Sequence, residues 1–144
     1  MMSNESSVID AQSPLDRVEA KLVRMGAAFD RTAASITIHP ADEHGFEVGL
    51  AVADGRFHVW FEGWHEPFTD PDEALRALAW GLSPECRLKV TYRGNVAVAW
   101  TTQHCVEGVW HDDATTGWLL TPFWRPKRHV FKQNRLATGP RRET

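Results

Sequence analysis

Apolar residues recur with a helical period near the start of the chain. They lie at spacings of three and four, at Leu15, Val18, Leu22 and Met25. This spacing predicts an amphipathic helix with one buried stripe. Ser13 suits the N-cap of that helix and Pro14 its first turn, while Gly26 suits its end. The sequence therefore predicts a first helix that begins at Ser13.

An alternating pattern follows, and it predicts a β-hairpin. Residues 46–52 and 57–61 alternate apolar and polar around Asp54-Gly55, a strong hairpin signal. A two-residue loop pairs Gly49 with Trp60. Seven apolar residues then share one face and are expected to be core, namely Phe46, Val48, Leu50, Val52, Phe57, Val59 and Phe61. A shorter alternation over residues 35–39 predicts one more strand.

A second helix and a second group of strands complete the pattern. Asp70 and Pro71 form an N-terminal helix signal, and Gly81 and Pro84 mark its end. Residues 87–93 and 96–105 read as strands joined by a two-residue turn. Glu107 begins a second such turn, into a third strand. Residues 117–120 and 128–132 are candidates for one or two further C-terminal strands.

The element order indicates an α+β protein with the arrangement α-βββ-α-βββ. Short hairpin links predict a mainly antiparallel β-sheet with two α-helices packed on one face. We expect a single domain over residues 13–136, with flexible tails at 1–12 and 137–144. At the level of fold alone, this order is similar to that of bacterial secretion chaperones and similar binding modules.

Length and composition agree with a globular domain. The chain has 144 residues, 42% hydrophobic and 24% charged, which suits one domain with its own core. Its two cysteines, Cys86 and Cys105, form no CxxC pair, so zinc-ribbon and thioredoxin motifs are unsupported. The first residues lack a secretory signal pattern, and no apolar run has the length of a membrane span. These observations predict a cytoplasmic protein with no membrane association.

The net charge of −3 divides unevenly along the chain. Residues 1–80 hold 6 Lys and Arg against 14 Asp and Glu, a net charge of −8, and residues 81–144 hold 10 against 5, a net charge of +5. The acidic part would repel phosphate, so nucleic acid is an unlikely partner. Opposite charges that meet across the folded surface explain the asymmetry equally well.

The sequence has no recognised catalytic or cofactor motif. GxGxxG, GxxxxGK[ST], HExxH and GxSxG are all missing, so we assign no catalytic residue and no cofactor. Cys86 and His104 are the obvious candidate dyad. With a two-residue turn at Gly94, His104 faces Glu85, so Cys86 and His104 point to opposite sides of the sheet. A catalytic cysteine is therefore disfavoured.

The same register predicts a candidate metal site. If Glu107 begins a two-residue turn, His104 also faces His111, so that Glu85, His104 and His111 form one row across three strands. Two imidazoles and one carboxylate are a known ligand set for zinc and iron. The alternative is that these side chains are solvated at strand ends.

Aromatic and cationic residues predict a candidate ligand face. If both hairpins have the same orientation, Trp60 and Trp100 share a sheet face with His58, Arg87 and Lys89. Such a face could stack a ring or hold an anion. The alternative is an ordinary exposed face, in which Trp60 covers Gly49 and long cationic stems cover Trp100.

An aromatic segment near the C-terminus has two interpretations. Trp118, Phe123 and Trp124 lie beside Pro122 and Pro126. They either fold back to close the core or form an exposed apolar patch that contacts a protein partner or a second copy of the chain.

Taken together, these features favour a small non-catalytic binding module, with a protein partner or a small ligand on the sheet face. One alternative is a small metal-dependent enzyme that uses Glu85, His104 and His111. A second is single-stranded nucleic-acid binding through the basic C-terminal half.

Overall fold

The described part of the chain forms two helices and nine strands. The computed structural model describes the backbone of residues 2–118 and 121–135, and the side chains of residues 14–118 and 121–135. The helices are α1 (Met2–Met25) and α2 (Pro71–Leu82). The expected C-terminal tail, residues 137–144, lies outside the described residues.

Helix α1 is longer than the sequence pattern predicts. It begins at Met2, so the predicted start at Ser13 is wrong. Pro14 lies inside the helix, where it removes one backbone N–H donor but does not end the helix. The flexibility expected for residues 1–12 is a separate property and stays a prediction.

Helix α2 has the predicted start. Asp70 is its N-cap, with its carboxylate accepting from the Asp72 backbone N at 3.4 Å, and Pro71 is its first residue. Ala74, Leu78, Gly81 and Leu82 are its buried residues. At Gly81 the helix lies directly on the Phe61 ring, where a Cβ atom would clash. Glycine therefore sets how closely α2 approaches the strands beneath it.

The first sheet, sheet A, is a five-stranded antiparallel meander. Its strands, in spatial order, are β1 (Phe29–Arg31), β2 (Ser35–Ile38), β3 (Val48–Ala53), β4 (Arg56–Phe61) and β5 (Trp64–Phe68). The predicted pairing of Gly49 with Trp60 is confirmed. The sequence pattern missed β1 and β5. Strand β5 contains Pro67 and lies at the sheet edge, where a missing N–H is tolerated.

The second sheet, sheet B, has four antiparallel strands in the order β8-β7-β6-β9. The strands are β6 (Cys86–Arg93), β7 (Val96–Val106), β8 (Val109–Gly117) and β9 (Lys127–Lys132). Strands β8 and β9 are consecutive in sequence but lie at opposite edges. The Gly94 backbone N donates to the Pro126 backbone O, so the residue before β9 lies at the end of the sheet where β6 turns into β7.

One core unites the helices and both sheets. Six of the seven hairpin residues predicted to be core are buried, and Val52 is partly buried. The side chains of Cys86, Leu88 and Val90, from sheet B, join the same core cluster as Leu78 of α2. The opposite side of β6 therefore faces away from α2.

The α+β class and the antiparallel pairing are confirmed, but the strands form two sheets rather than one. Within the described residues, neither helix combines the length and the apolar character needed to cross a lipid bilayer.

Candidate functional site

A β-bulge between β6 and β7 decides which side chains of sheet B share a face. Next to the turn, Arg93 pairs with Val96, as a two-residue loop predicts. The pairing then shifts by one residue, and at the far end of the strands Cys86 pairs with His104. The predicted pairing of His104 with Glu85 is therefore wrong, because one extra residue moves every later side chain to the other face.

The predicted metal ligands do not converge. The pairing of His104 with His111 is confirmed, and their rings stack with centroids 5.5 Å apart. Glu85 is exposed and lies just before β6. The position opposite His104 that was predicted for Glu85 is occupied by Cys86. His104 Nδ1 instead lies 2.7 Å from the Asp113 carboxylate. Among the described residues, no group of three His, Cys, Asp or Glu side chains is arranged to hold a metal.

The Cys86 and His104 pair shares one sheet face, contrary to the sequence-based register. Cys86 is nonetheless fully buried. Burial, assisted by the nearby Asp113 carboxylate, raises the pKa of the Cys86 thiol well above its ordinary range. Because the thiolate is the nucleophile, this geometry fits a structural cysteine packed in the core.

The predicted ligand residues are divided among three surfaces. His58 and Trp60 lie on the side of sheet A that faces away from the core. Trp60 covers Gly49 and donates from Nε1 to the Glu47 carboxylate at 2.8 Å. This matches the interpretation of Trp60 as a cover for the strand beneath it.

Trp100 lies on the core side of sheet B. It pairs with the buried Val90, packs against Gly63 and donates from Nε1 to the Glu62 carboxylate at 2.9 Å. Arg87 and Lys89 lie on the opposite side of the same sheet. The predicted sharing of one face by Trp100 and these two cations is wrong, since the bulge reverses the face of Trp100.

The side of sheet B that faces away from α2 is rich in cations. Within strands β6 to β9, the register places on it the four cationic side chains of Arg87, Lys89, Arg93 and Lys127, and one carboxylate, that of Asp112. We call this surface the basic face. Only Arg87 and Lys89 of this set belong to the ligand residues predicted from sequence.

Arg87 is held between two aromatic rings on the basic face. Its guanidinium carbon lies 4.5 Å from the Trp110 ring centroid and 4.3 Å from that of Phe131. Both distances are within cation–π range. Its Nε donates to Gln103 Oε1 at 2.8 Å. Burial lowers the pKa of Arg87 from its usual value, against the opposing influence of Cys105 and Asp112.

A hydrogen-bonded row continues across the face from Gln103. Its Nε2 donates to the Asp112 carboxylate at 2.7 Å, and the other oxygen of that carboxylate lies 3.2 Å from Lys89 Nζ. These bonds from Gln103 and Lys89 lower the pKa of Asp112. Asp112 is therefore engaged by its neighbours, which leaves the basic face a net positive charge.

His129 completes the basic face. Its Nδ1 lies 3.1 Å from the Thr91 hydroxyl. Burial, together with the nearby ammonium groups of Lys89 and Lys127, lowers the pKa of His129, and Asp112 acts in the opposite direction. The imidazole is therefore sensitive to any anion that approaches this surface.

A cleft of about 460 Å³ opens at the β9 edge of the basic face. Its lining comes from three places in the chain: Arg87 and Phe131 of sheet B, Ala41, Asp42, His44 and Gly45 of the loop before β3, and Gln133, Asn134 and Arg135 after β9. The cleft thus joins the basic face to a loop of sheet A.

The aromatic segment after β8 is exposed. The side chains of Trp118, Phe123 and Trp124 are 59%, 74% and 71% exposed, and Phe123 and Trp124 contact each other edge to face. The interpretation that these three residues close the core is therefore wrong. Their exposure fits the alternative of an apolar patch, which stays a prediction as an interaction surface.

Sequence reasoning missed Trp110, Gln103, Asp112, His129 and Phe131. Their grouping depends on the bulge in β7 and on the pairing of β6 with β9. The one available signal was the polar alternation along β6, which the sequence shows as Arg87, Lys89, Thr91 and Arg93. Comparison of the chain with protein-family models, with curated proteins and with solved structures found no match.

Proposed function

We propose that this protein is a non-catalytic binding module that binds an acidic polypeptide segment on the basic face. The observation that carries the proposal is the Arg87 guanidinium, held between Trp110 and Phe131 on a surface with three further cations. A cation that is already oriented loses little conformational entropy when it binds a carboxylate.

Charge complementarity supports an acidic partner. Four cationic groups and one engaged carboxylate share the basic face, although the whole chain carries a net charge of −3. A local positive field on an acidic protein attracts an anionic segment and orients its approach. The acidic remainder of the chain would repel a long polyanion, which favours a short acidic segment over extended nucleic acid.

The dimensions of the face also fit a short extended segment. Four strands span about 15 Å at their usual spacing, and the eight residues of β6 extend about 26 Å. A peptide of about seven or eight extended residues matches that length. The rings of Trp110 and Phe131 add apolar contact area beside the charges.

The test is a titration of the protein with a fluorescently labelled acidic peptide about eight residues long, followed by anisotropy. We expect Arg93→Glu combined with Lys127→Glu to weaken binding by about tenfold or more at low salt. The matched control is Arg56→Glu, which reverses an exposed cation on sheet A and should change affinity less than twofold. Binding of the original protein should also weaken as salt rises.

Two results would contradict the proposal. The first is an acidic peptide that does not bind, or that binds equally to the Arg93→Glu/Lys127→Glu variant. The second is a single-stranded oligonucleotide of equal charge that binds more tightly than the peptide, which would favour the nucleic-acid alternative instead.

A further inference from the structure

The cleft beside Arg87 has walls whose polar groups are mostly satisfied within the protein. The Asn134 side chain accepts from the Phe46 backbone N and donates to the backbone oxygens of Phe46 and Gly81. The Asp42 carboxylate accepts from the His44 backbone N at 2.9 Å. These groups shape the cleft, and their hydrogen-bonding capacity is largely used.

Arg87 is different, because its outer nitrogens remain available. Its Nε is occupied by Gln103, and its two faces are covered by Trp110 and Phe131. Among the described residues, its two Nη groups have no hydrogen-bond acceptor. Arg87 lines the cleft, so these Nη donors are available to a ligand there.

From this geometry we infer that the cleft receives one carboxylate, a Glu or Asp side chain of the acidic segment, on the free edge of the Arg87 guanidinium. The inference rests on the proposed function and names the part of the partner that the site selects. A planar carboxylate matches the planar edge of a guanidinium through two parallel hydrogen bonds. The side chain of Phe131 contacts the apolar stem of the inserted residue.

The charge of the cleft decides for a carboxylate over a phosphate group. The cleft is lined by the cations of Arg87 and Arg135 and by the carboxylate of Asp42, a net charge of +1 from these three groups. A carboxylate carries one negative charge, whereas a phosphate monoester carries about 1.5 to 2 at pH 7. The Asp42 carboxylate repels the second charge, so the cleft favours a singly charged oxyanion.

The first test compares Arg87→Lys with Arg56→Lys in the peptide titration. Both changes keep the charge, so binding through the basic face should persist in each. We expect Arg87→Lys to weaken binding of the acidic peptide about tenfold, because lysine cannot form two parallel hydrogen bonds to one carboxylate. Arg56→Lys should change affinity less than twofold, since Arg56 is exposed on sheet A, outside the basic face and the cleft. Melting curves of both variants verify the fold.

A scan of the peptide identifies the inserted residue. Each acidic residue is changed in turn to its amide, and one change should weaken binding to the original protein about tenfold. The same peptide change should weaken binding to the Arg87→Lys variant less than twofold, because the inserted carboxylate and the Arg87 guanidinium contribute to affinity as a pair. If every acidic residue contributes equally, the cleft has no selected carboxylate.

A second measurement uses the unmodified protein and small ions. Succinate should shift the Arg87 side-chain Nε–H signal in NMR spectra, and inorganic phosphate should shift it less at equal concentration. A larger shift with phosphate would overturn the carboxylate assignment. Peptide binding that is equal for the original protein and Arg87→Lys would overturn the cleft inference and leave the proposed function intact. No peptide binding, with a saturable succinate shift, would overturn the proposed function and assign the cleft to a free carboxylate ligand.

Discussion

Asn134 and Phe46 lie 88 residues apart and exchange two hydrogen bonds. The Phe46 backbone N donates to Asn134 Oδ1 at 3.0 Å, and Asn134 Nδ2 donates to the Phe46 backbone O at 3.1 Å. A third bond joins Nδ2 to the backbone O of Gly81 at the end of α2. One buried amide therefore connects the segment after β9 to sheet A and to α2.

Replacement of this amide should destabilise the protein. Asn134→Ala leaves the buried groups of Phe46 and Gly81 without their partners, which should reduce the free energy of unfolding by about 2 to 4 kcal/mol. Urea denaturation measures the change. Arg135→Ala, at the exposed neighbouring position, is the control and should have a small effect. Equal urea midpoints for Asn134→Ala and the unsubstituted protein would show that the Asn134 hydrogen bonds contribute nothing to stability.

Gly63 permits the close packing of Trp100. A Cβ atom at Gly63 would overlap the indole ring, so Gly63→Ala should reduce the free energy of unfolding by about 1 to 3 kcal/mol. Gly117→Ala is the matched control, because the nearest atom to its Cβ would lie at 3.4 Å. Thermal melting compares the two variants. A Gly63→Ala variant with the same melting temperature as the unsubstituted protein would show that this position tolerates a Cβ atom.

The two cysteines should differ in reactivity. Burial raises the pKa of Cys86, whereas Cys105 is exposed. A thiol-specific reagent should therefore modify one thiol quickly in the native protein and the second only after denaturation. Cys105→Ser should remove the fast reaction. Rapid modification of both thiols under native conditions would contradict the burial of Cys86.

The affinity for an acidic peptide should rise as the pH falls. Burial and two neighbouring ammonium groups lower the pKa of His129 in the free protein, and a bound anion would raise it again. Binding then takes up a proton, so affinity should increase below about pH 7 while the peptide carboxylates stay ionised above about pH 5. His129→Gln should flatten this dependence. An unchanged profile in that variant would exclude His129 as its source.

The pKa of His129 has the opposite effect on stability without a ligand. Because the folded state disfavours the imidazolium form, the unfolded state binds more protons just below pH 6.5. The stability of the free protein should therefore fall as the pH decreases through that range, and urea denaturation at several pH values measures it. This trend separates the ligand effect from a general effect of pH on the fold.

Trp124 should contribute little to stability. Because its side chain is 71% exposed, Trp124→Ala should change the free energy of unfolding by less than about 0.5 kcal/mol. Sedimentation of the same variant tests whether the exposed patch joins two copies of the chain. A large loss of stability would show that this residue is part of the core after all.

Local signals in the sequence were sufficient for much of sheet A and α2. Asp54 and Gly55 both have positive φ, as a tight hairpin turn requires, and the alternation on either side placed the core residues correctly. Glu62 also has positive φ, and Glu62-Gly63 is the same dipeptide as Glu107-Gly108, although Gly63 lacks the positive φ of Gly108. That signal could have found β5.

The basic face depended on tertiary structure. Tight turns set the register only next to the turn, and the bulge in β7 shifts it where the strands pack into the sheet. The pairing of β9 with β6 is a contact between strands distant in sequence, which no local pattern specifies. The sequence by itself determined the element types, the register beside three turns and most core positions, because these depend on neighbouring residues. Only the tertiary structure decided that Arg87 lies between Trp110 and Phe131, because that arrangement requires three strands to align.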